Sequence, residues 1–189
     1  PLALLFIDLD RFKQINDTLG HAGGDATLVH ASHVLRANTR ADDFVARIGG
    51  DEFVIVSSAD SGDAGLAILA QRIIVKMRQP VDYHGHQCRC GVSVGIARQT
   101  GKAADPARLL VDADIALYRA KSRGRNRHEF FTEALQAEVV RTKRVADELL
   151  GAIERDQFVP YFQPQFDART REGVGVEARG RWQHPADGL

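Results

Sequence analysis

The chain has 189 residues, 44% of them hydrophobic and 26% charged, which is ordinary globular composition with length for one complete domain and part of another. Lys+Arg and Asp+Glu both number 25, so no net field draws it to a nucleic acid polymer or an anionic membrane, and any anion site must be a local cluster. There is no signal-like start, no disulfide framework and no apolar run of membrane-spanning length, so the segment is expected to be cytoplasmic and free of membrane contact, even if a longer parent is membrane-anchored.

Residues 2–7 form a continuous apolar run bounded by Asp8, the pattern of a central strand covered on both faces. Opening on a strand suggests a fragment of a longer protein. Phe12, Ile15 and Leu19 recur at helical spacing up to Gly20, and a second helix is predicted from Asp25, whose carboxylate can cap it, through Leu28, Val29, Val34 and Leu35. Two strands, 44–48 and 53–56, flank Gly49-Gly50-Asp51-Glu52, a hairpin signal that presents carboxylates at its tip. A helix is predicted over 64–77, and residues 81–86 running into 90–97 read as another hairpin. Cys88 and Cys90 fall in that segment, point the same way by strand periodicity, and read as reduced thiols rather than metal ligands.

A helix over 106–122 ends at Gly124, 129–131 can form a short closing strand, and a long charged amphipathic helix covers 133–155. Strand-like runs at 158–164 and 173–177 then begin a unit that the chain is too short to finish. The predicted division is a domain over 1–132, a linker helix over 133–156 and a partial unit over 157–189. The predicted class is α+β, with a central, largely antiparallel sheet flanked by helices.

Asp8 ends the first strand, so if that strand neighbours the Asp51-Glu52 hairpin, three carboxylates converge at one sheet edge. Such a cluster suits magnesium, with manganese as the substitute, because a hard cation takes oxygen ligands and joins one or two carboxylates to substrate phosphates. The same residues also fit a solvated turn with no ligand at all.

Arg47-Ile48-Gly49-Gly50-Asp51-Glu52-Phe53 resembles the signature of the GGDEF diguanylate cyclase family. Asp8-Leu9-Asp10-Arg11-Phe12-Lys13-Gln14-Ile15-Asn16-Asp17 resembles its first motif, and Asp114 to Lys121 with Gly124-Arg125-Asn126 resembles its last. The resemblance covers about 2–131, lacks only the family's opening helix, and implies a nucleotide-cyclase, polymerase-palm-like fold. It also implies condensation of two GTP into cyclic di-GMP, with Asp8, Asp51 and the main-chain carbonyl of Leu9 as magnesium ligands and Glu52 completing the acidic centre.

The same resemblance implies that Asn16 and Asp25 read guanine, with Leu28 lining the pocket, and that Lys13, Lys121 and Arg125 contact the triphosphate. The N–H groups of Arg11, Phe12 and Lys13 open a helix, where anions are favoured; His21 belongs to the same motif. One site holds one GTP, so the product requires a homodimer of two chains face to face. Arg40-Ala41-Asp42-Asp43 is an R-x-x-D pattern where the family carries its inhibitory product site, implying cyclic di-GMP at Arg40 and Asp43, against the plainer reading of an exposed loop ion pair.

Tyr161 to Gln165 and Val176 to Pro185 resemble the opening of an EAL phosphodiesterase domain, with Glu177 and Arg181 retained and Arg179 where that family has leucine. The segment stops before the other catalytic motifs, so no phosphodiesterase activity is expected of it. The alternative to a cyclase is a non-catalytic module that binds GTP or cyclic di-GMP to regulate a phosphodiesterase.

Overall fold

The structure is a computed structural model and describes residues 2–99, 105–185 and 188. It divides into two compact units, 1–136 and 137–189.

In the first unit, β1 (Leu2–Asp10) is the centre of a five-stranded sheet, and all but its first residue are buried. The other strands are β2 (Phe44–Gly49), β3 (Glu52–Ser58), β6 (Gly91–Gln99) and β7 (His128–Phe130), in the order β2-β3-β1-β6-β7. Only β6 and β7 run parallel, so the sheet is largely antiparallel, as its hairpin signals require. Alternation along β1 divides the core. Ala3, Leu5, Ile7 and Leu9 pack on one face with α1 (Phe12–Asn38) and α2 (Gly62–Met77), where Leu28, Leu35, Ile73 and Ile74 meet Ile55 and Ile96. Leu4 and Phe6 pack on the other face with Val54, Ala97 and α3 (Pro106–Ser122), through Leu109, Ala113 and Leu117.

α3 lies on β6 at van der Waals distance because residue 95 is glycine: a Cβ there would overlap the carbonyl oxygen of Ala113 and the N–H of Leu117. α3 starts as its sequence promises, with the Asp105 carboxylate accepting from the N–H groups of Ala107 and Arg108, both at 3.1 Å.

Three local predictions are corrected. The two helices expected on either side of Gly20 form one element with a break at Gly20 (φ 74°), and helix resumes directly after it, so Asp25 lies inside the second segment and caps nothing. Glu52 is not at a loop tip: it is the first residue of β3, and only Gly50 and Asp51 make the turn. The second hairpin is formed by β4 (Val81–Tyr83) and β5 (His86–Cys88) alone, through a turn in which His84 and Gly85 both have positive φ. β6 leaves this ribbon and joins the central sheet, because its apolar residues are needed beside β1.

Starting in the last residues of the first unit, α4 (Glu133–Glu154) leads to β8 (Phe158–Phe166) and β9 (Gly173–Trp182), an antiparallel pair whose side chains are mostly exposed. Trp182 stacks on Phe158 with ring centroids 5.7 Å apart, and its Nε1 donates to Gln157 at 3.2 Å. No described helix is long and apolar enough to cross a membrane.

Candidate active site

At the end of the sheet where β1 passes into α1, Asp8 and Glu52 face each other as partners in the β1–β3 ladder. Strand alternation puts both on the face that α3 covers. Lys121, in the last turn of α3, reaches this face and donates from Nζ to Asp8 Oδ2 at 2.6 Å. Burial pushes the Asp8 carboxyl above its ordinary range; Lys121 pulls it down, and the charges of Asp51 and Asp10 add to the upward push. Asp51 sits in the β2–β3 turn, its carbonyl accepting from the Leu9 N–H at 3.1 Å, which fastens the turn to the end of β1. Among the described residues, no group of three or more His, Cys, Asp or Glu side chains is arranged as a metal cage. The structure therefore brings Asp8, Glu52 and Asp51 to one sheet edge without closing them into a three-carboxylate cluster.

Asp10 was passed over in the sequence, although it lies on the same face as Asp8 and is 8% exposed. Its Oδ1 accepts from the Ser93 hydroxyl at 2.7 Å and its Oδ2 from the Asn126 N–H at 3.0 Å. It thereby pins the turn after α3, where Arg125 (φ 64°) and Asn126 (φ 53°) both adopt left-handed conformations that few non-glycine residues occupy. The two-residue spacing from Asp8 was the signal that could have found it. Its oxygens are committed to neutral donors, which leaves Asp8, between Glu52 and Lys121, as the carboxylate better suited to a cation.

Helix α1 opens without a side-chain cap: Arg11 stands at the N-cap position with φ 60°, and Phe12 and Lys13 follow in the first turn. Lys13 and Arg125 are exposed, and Lys121 is half-buried. Asn16 is placed by the break at Gly20, which folds the second helical segment back so closely that a Cβ on Gly24 would overlap Asn16 Oδ1. Asp25 and His21 are exposed beside this junction. Leu28 packs in the core at 7% exposure, so it offers a ligand little more than an edge.

Arg40 and Asp43 lie on the other side of the domain, at the end of α1. Here the plainer alternative, a loop ion pair, takes another form. The Asp43 carboxylate accepts from the Arg40 N–H at 2.7 Å, closing the loop through main chain rather than by an ion pair with the guanidinium. Both residues line a cavity of about 590 Å³ together with Asn38, Ile68 and Arg72. Arg72 donates to the Asn38 carbonyl at 2.5 Å and is a second guanidinium in this cavity that the local pattern around Arg40 gave no reason to include.

Cys88 and Cys90 are free and buried. Burial, with the nearby charge of Asp10 first among the carboxylates, pushes the Cys90 thiol up to about 12. It is a closed, protonated side chain and no nucleophile.

The family model described as "Diguanylate cyclase, GGDEF domain" matches residues 1–127. The chain belongs to the GGDEF family. A second family model, the EAL domain, matches 146–189. Among curated relatives, the chain is 40% identical over 187 residues to the bifunctional diguanylate cyclase/cyclic di-GMP phosphodiesterase MucR of Pseudomonas aeruginosa, covering 99% of this chain and 27% of that protein. It is 36% identical over 188 residues to the cyclic di-GMP phosphodiesterase NbdA of the same organism, covering 24% of it. The chain thus spans about a quarter of the length of these relatives. Among solved structures, the GGDEF domain of YfiN (TpbB) from P. aeruginosa is similar with TM-score 0.66 and 42% identity over 69% of this chain and 82% of that one. The GGDEF domain of DgcB from Caulobacter crescentus, solved in complex with cyclic di-GMP, is similar with TM-score 0.64 and 28% identity over 68% and 77% of the two chains. The fold of residues 1–127 is therefore that of GGDEF cyclase domains, and a segment that matches the EAL domain follows it.

Proposed function

We propose that this GGDEF domain binds magnesium and GTP and, as a homodimer, condenses two GTP into cyclic di-GMP with release of two pyrophosphates. The observation that carries the reading is Asp8: a buried carboxylate with a raised pKa, beside Glu52, within the field of Asp51 and held by Lys121. A carboxylate disfavoured as an anion gains most from a cation, and the donor set suits magnesium, which takes one or two protein carboxylates and fills its shell with phosphate oxygens and water. Asp8, Asp51 and the Leu9 carbonyl would hold the ion, or manganese in its place. When bound it would acidify the attacking 3′-hydroxyl and neutralise charge gathering on the phosphates.

The chain's own residues supply the rest. The uncapped start of α1 offers main-chain N–H groups of Arg11, Phe12 and Lys13 to the triphosphate. Lys13, Lys121 and Arg125 neutralise it, Lys121 exchanging its Asp8 partner for a phosphate oxygen. Asn16 and Asp25 present the amide and carboxylate that match guanine, at the edge of Leu28 and near His21. The cavity with Arg40 and Asp43 is assigned to the product as an inhibitor, with one guanidinium free of Asp43 to meet phosphate or stack on guanine.

Incubating the protein with GTP and magnesium and separating the nucleotides tests the reading. Cyclic di-GMP is the expected product. GTP binding without product, in a form fused to a dimerising helix, would replace it with the regulatory reading. Calorimetry with cyclic di-GMP tests the inhibitory site separately: Arg40→Ala is expected to abolish binding.

A further inference from the structure

Helix α4 has no part in the site described above, yet its side chains follow a seven-residue repeat. Uncharged residues recur at alternating steps of four and three: Leu135, Val139, Thr142, Ala146, Leu149 and Ile153. In heptad terms Val139, Ala146 and Ile153 are a positions, and Leu135, Thr142 and Leu149 are d positions. The charges Glu133, Arg141, Arg144, Asp147, Glu148 and Glu154 all fall at b, c or f, on the other side of the helix. The two that remain, Glu138 at g and Lys143 at e, flank the seam. Leu135 is buried, but beyond it the stripe opens to solvent: Thr142 and Ala146 are exposed, Leu149 is 40% exposed and Ile153 58%. The part of the chain that returns to α4 meets its polar side. His184 Nε2 lies 2.7 Å from Glu148 Oε2, and Arg144, Glu148, Trp182 and His184 line one small cavity there, of about 270 Å³. The end of the β8–β9 pair thus docks on c and f positions and leaves the a and d seam uncovered.

A stripe this narrow, with only Val145 at g widening it, is the seam of a coiled coil, whereas a helix packed on a globular core carries a broader apolar face. The alternation of four and three keeps one side of two supercoiling helices in contact over successive turns. The two flanking charges choose the occupant. In parallel, in-register copies, the g residue of one helix faces the e residue five positions on in the other, so Glu138 of each chain meets Lys143 of the partner subunit, twice across the two-fold axis. An antiparallel pair matches g with g and e with e, and sets no acid against a base. We infer that α4 is a dimerisation helix, through which two copies of this chain associate along 139–153 as a parallel, in-register coiled coil. The seam is about 21 Å long at the helical rise, a short zipper whose association depends on concentration. The inference concerns assembly alone and does not depend on turnover, although it would bring a second chain to the reaction proposed above.

Sedimentation of the 189-residue chain over a range of concentrations tests it. Wild type is expected to pass from monomer to dimer, and Leu149→Glu to need roughly tenfold more protein for the same dimer fraction. Val140→Glu, at a b position that is 62% exposed, is expected to dimerise as wild type does, and circular dichroism checks that both variants keep the helix. Ile153→Cys treated with oxidised glutathione is expected to give a disulfide-linked dimer on a non-reducing gel, because parallel register brings the two copies of one residue together; Val140→Cys is expected to give none. A chain that stays monomeric at all concentrations overturns the inference and leaves the seam to a segment of a longer protein. A dimer that Leu149→Glu does not weaken, or one in which Ile153→Cys does not cross-link, overturns it in favour of another surface or an antiparallel pair. Dimers weakened by Leu149→Glu in a protein that makes no cyclic di-GMP would sink the cyclase reading and leave this inference standing; an active enzyme whose dimers Leu149→Glu leaves intact would do the reverse.

Discussion

Asp8 has a folded-state pKa above its unfolded value, so the folded chain holds that proton to higher pH than the unfolded one. Stability from this group is present below the unfolded pKa and is lost as pH rises through the folded one, because the folded chain then carries an ionised, partly desolvated carboxylate. Asp8→Asn should therefore leave the melting temperature unchanged or raised in magnesium-free buffer at pH 7 while abolishing turnover; a fall of several degrees by calorimetry would contradict the sign. Added magnesium should stabilise wild type and not this variant. Asp10 has a different task, since both its oxygens serve neighbours that shape the Arg125 turn. Asp10→Ala leaves buried donors unsatisfied, at about 1–3 kcal/mol. We expect a lower melting temperature and a KM for GTP raised about tenfold, with GMP affinity little changed, and nucleotide titrations would measure the split. The two aspartates are indistinguishable by type in the sequence, and their partners separate them.

Between elements, the closest contact is α3 on β6 at Gly95, where backbone meets backbone. Overpacking a core typically costs about 1–3 kcal/mol. Gly95→Ala should reach or exceed the top of that range, because the opposing atoms are main chain and cannot rotate away. It should also shift Lys121 away from Asp8, since α3 carries that lysine. Urea unfolding of Gly95→Ala checks the first outcome, and the magnesium dependence of its residual activity checks the second. The broken helix α1 is the other device at this scale. Its break at Gly20 lets the second segment lie against Asn16, so closely that Gly24 has no room for a side chain.

For the whole molecule, the proposed reaction between two face-to-face chains would make synthesis second order in protein. Specific activity at saturating GTP should rise with chain concentration and level off as dimers form, and fusion to a dimerising helix should remove the dependence. Activity independent of concentration over a hundredfold dilution of the unfused chain would contradict the two-chain site. The apolar run at 2–7, the glycine turn before Phe53 and the periodicity of 106–122 determined by themselves a central strand, a hairpin and a covering helix, because each is a local match between side-chain pattern and backbone period. The ordered motifs likewise carried family membership and the names of most candidate residues. Only the tertiary structure decided that Glu52 belongs to a strand opposite Asp8, that Lys121 is Asp8's partner, that Asp10 holds the Arg125 turn, and that Arg72 joins the cavity of Arg40 and Asp43. These relations link residues far apart in the chain, 113 positions for Asp8 and Lys121 and 116 for Asp10 and Asn126, and no local period encodes them; they follow from strand register and from how closely glycine lets α3 and α1 approach their neighbours.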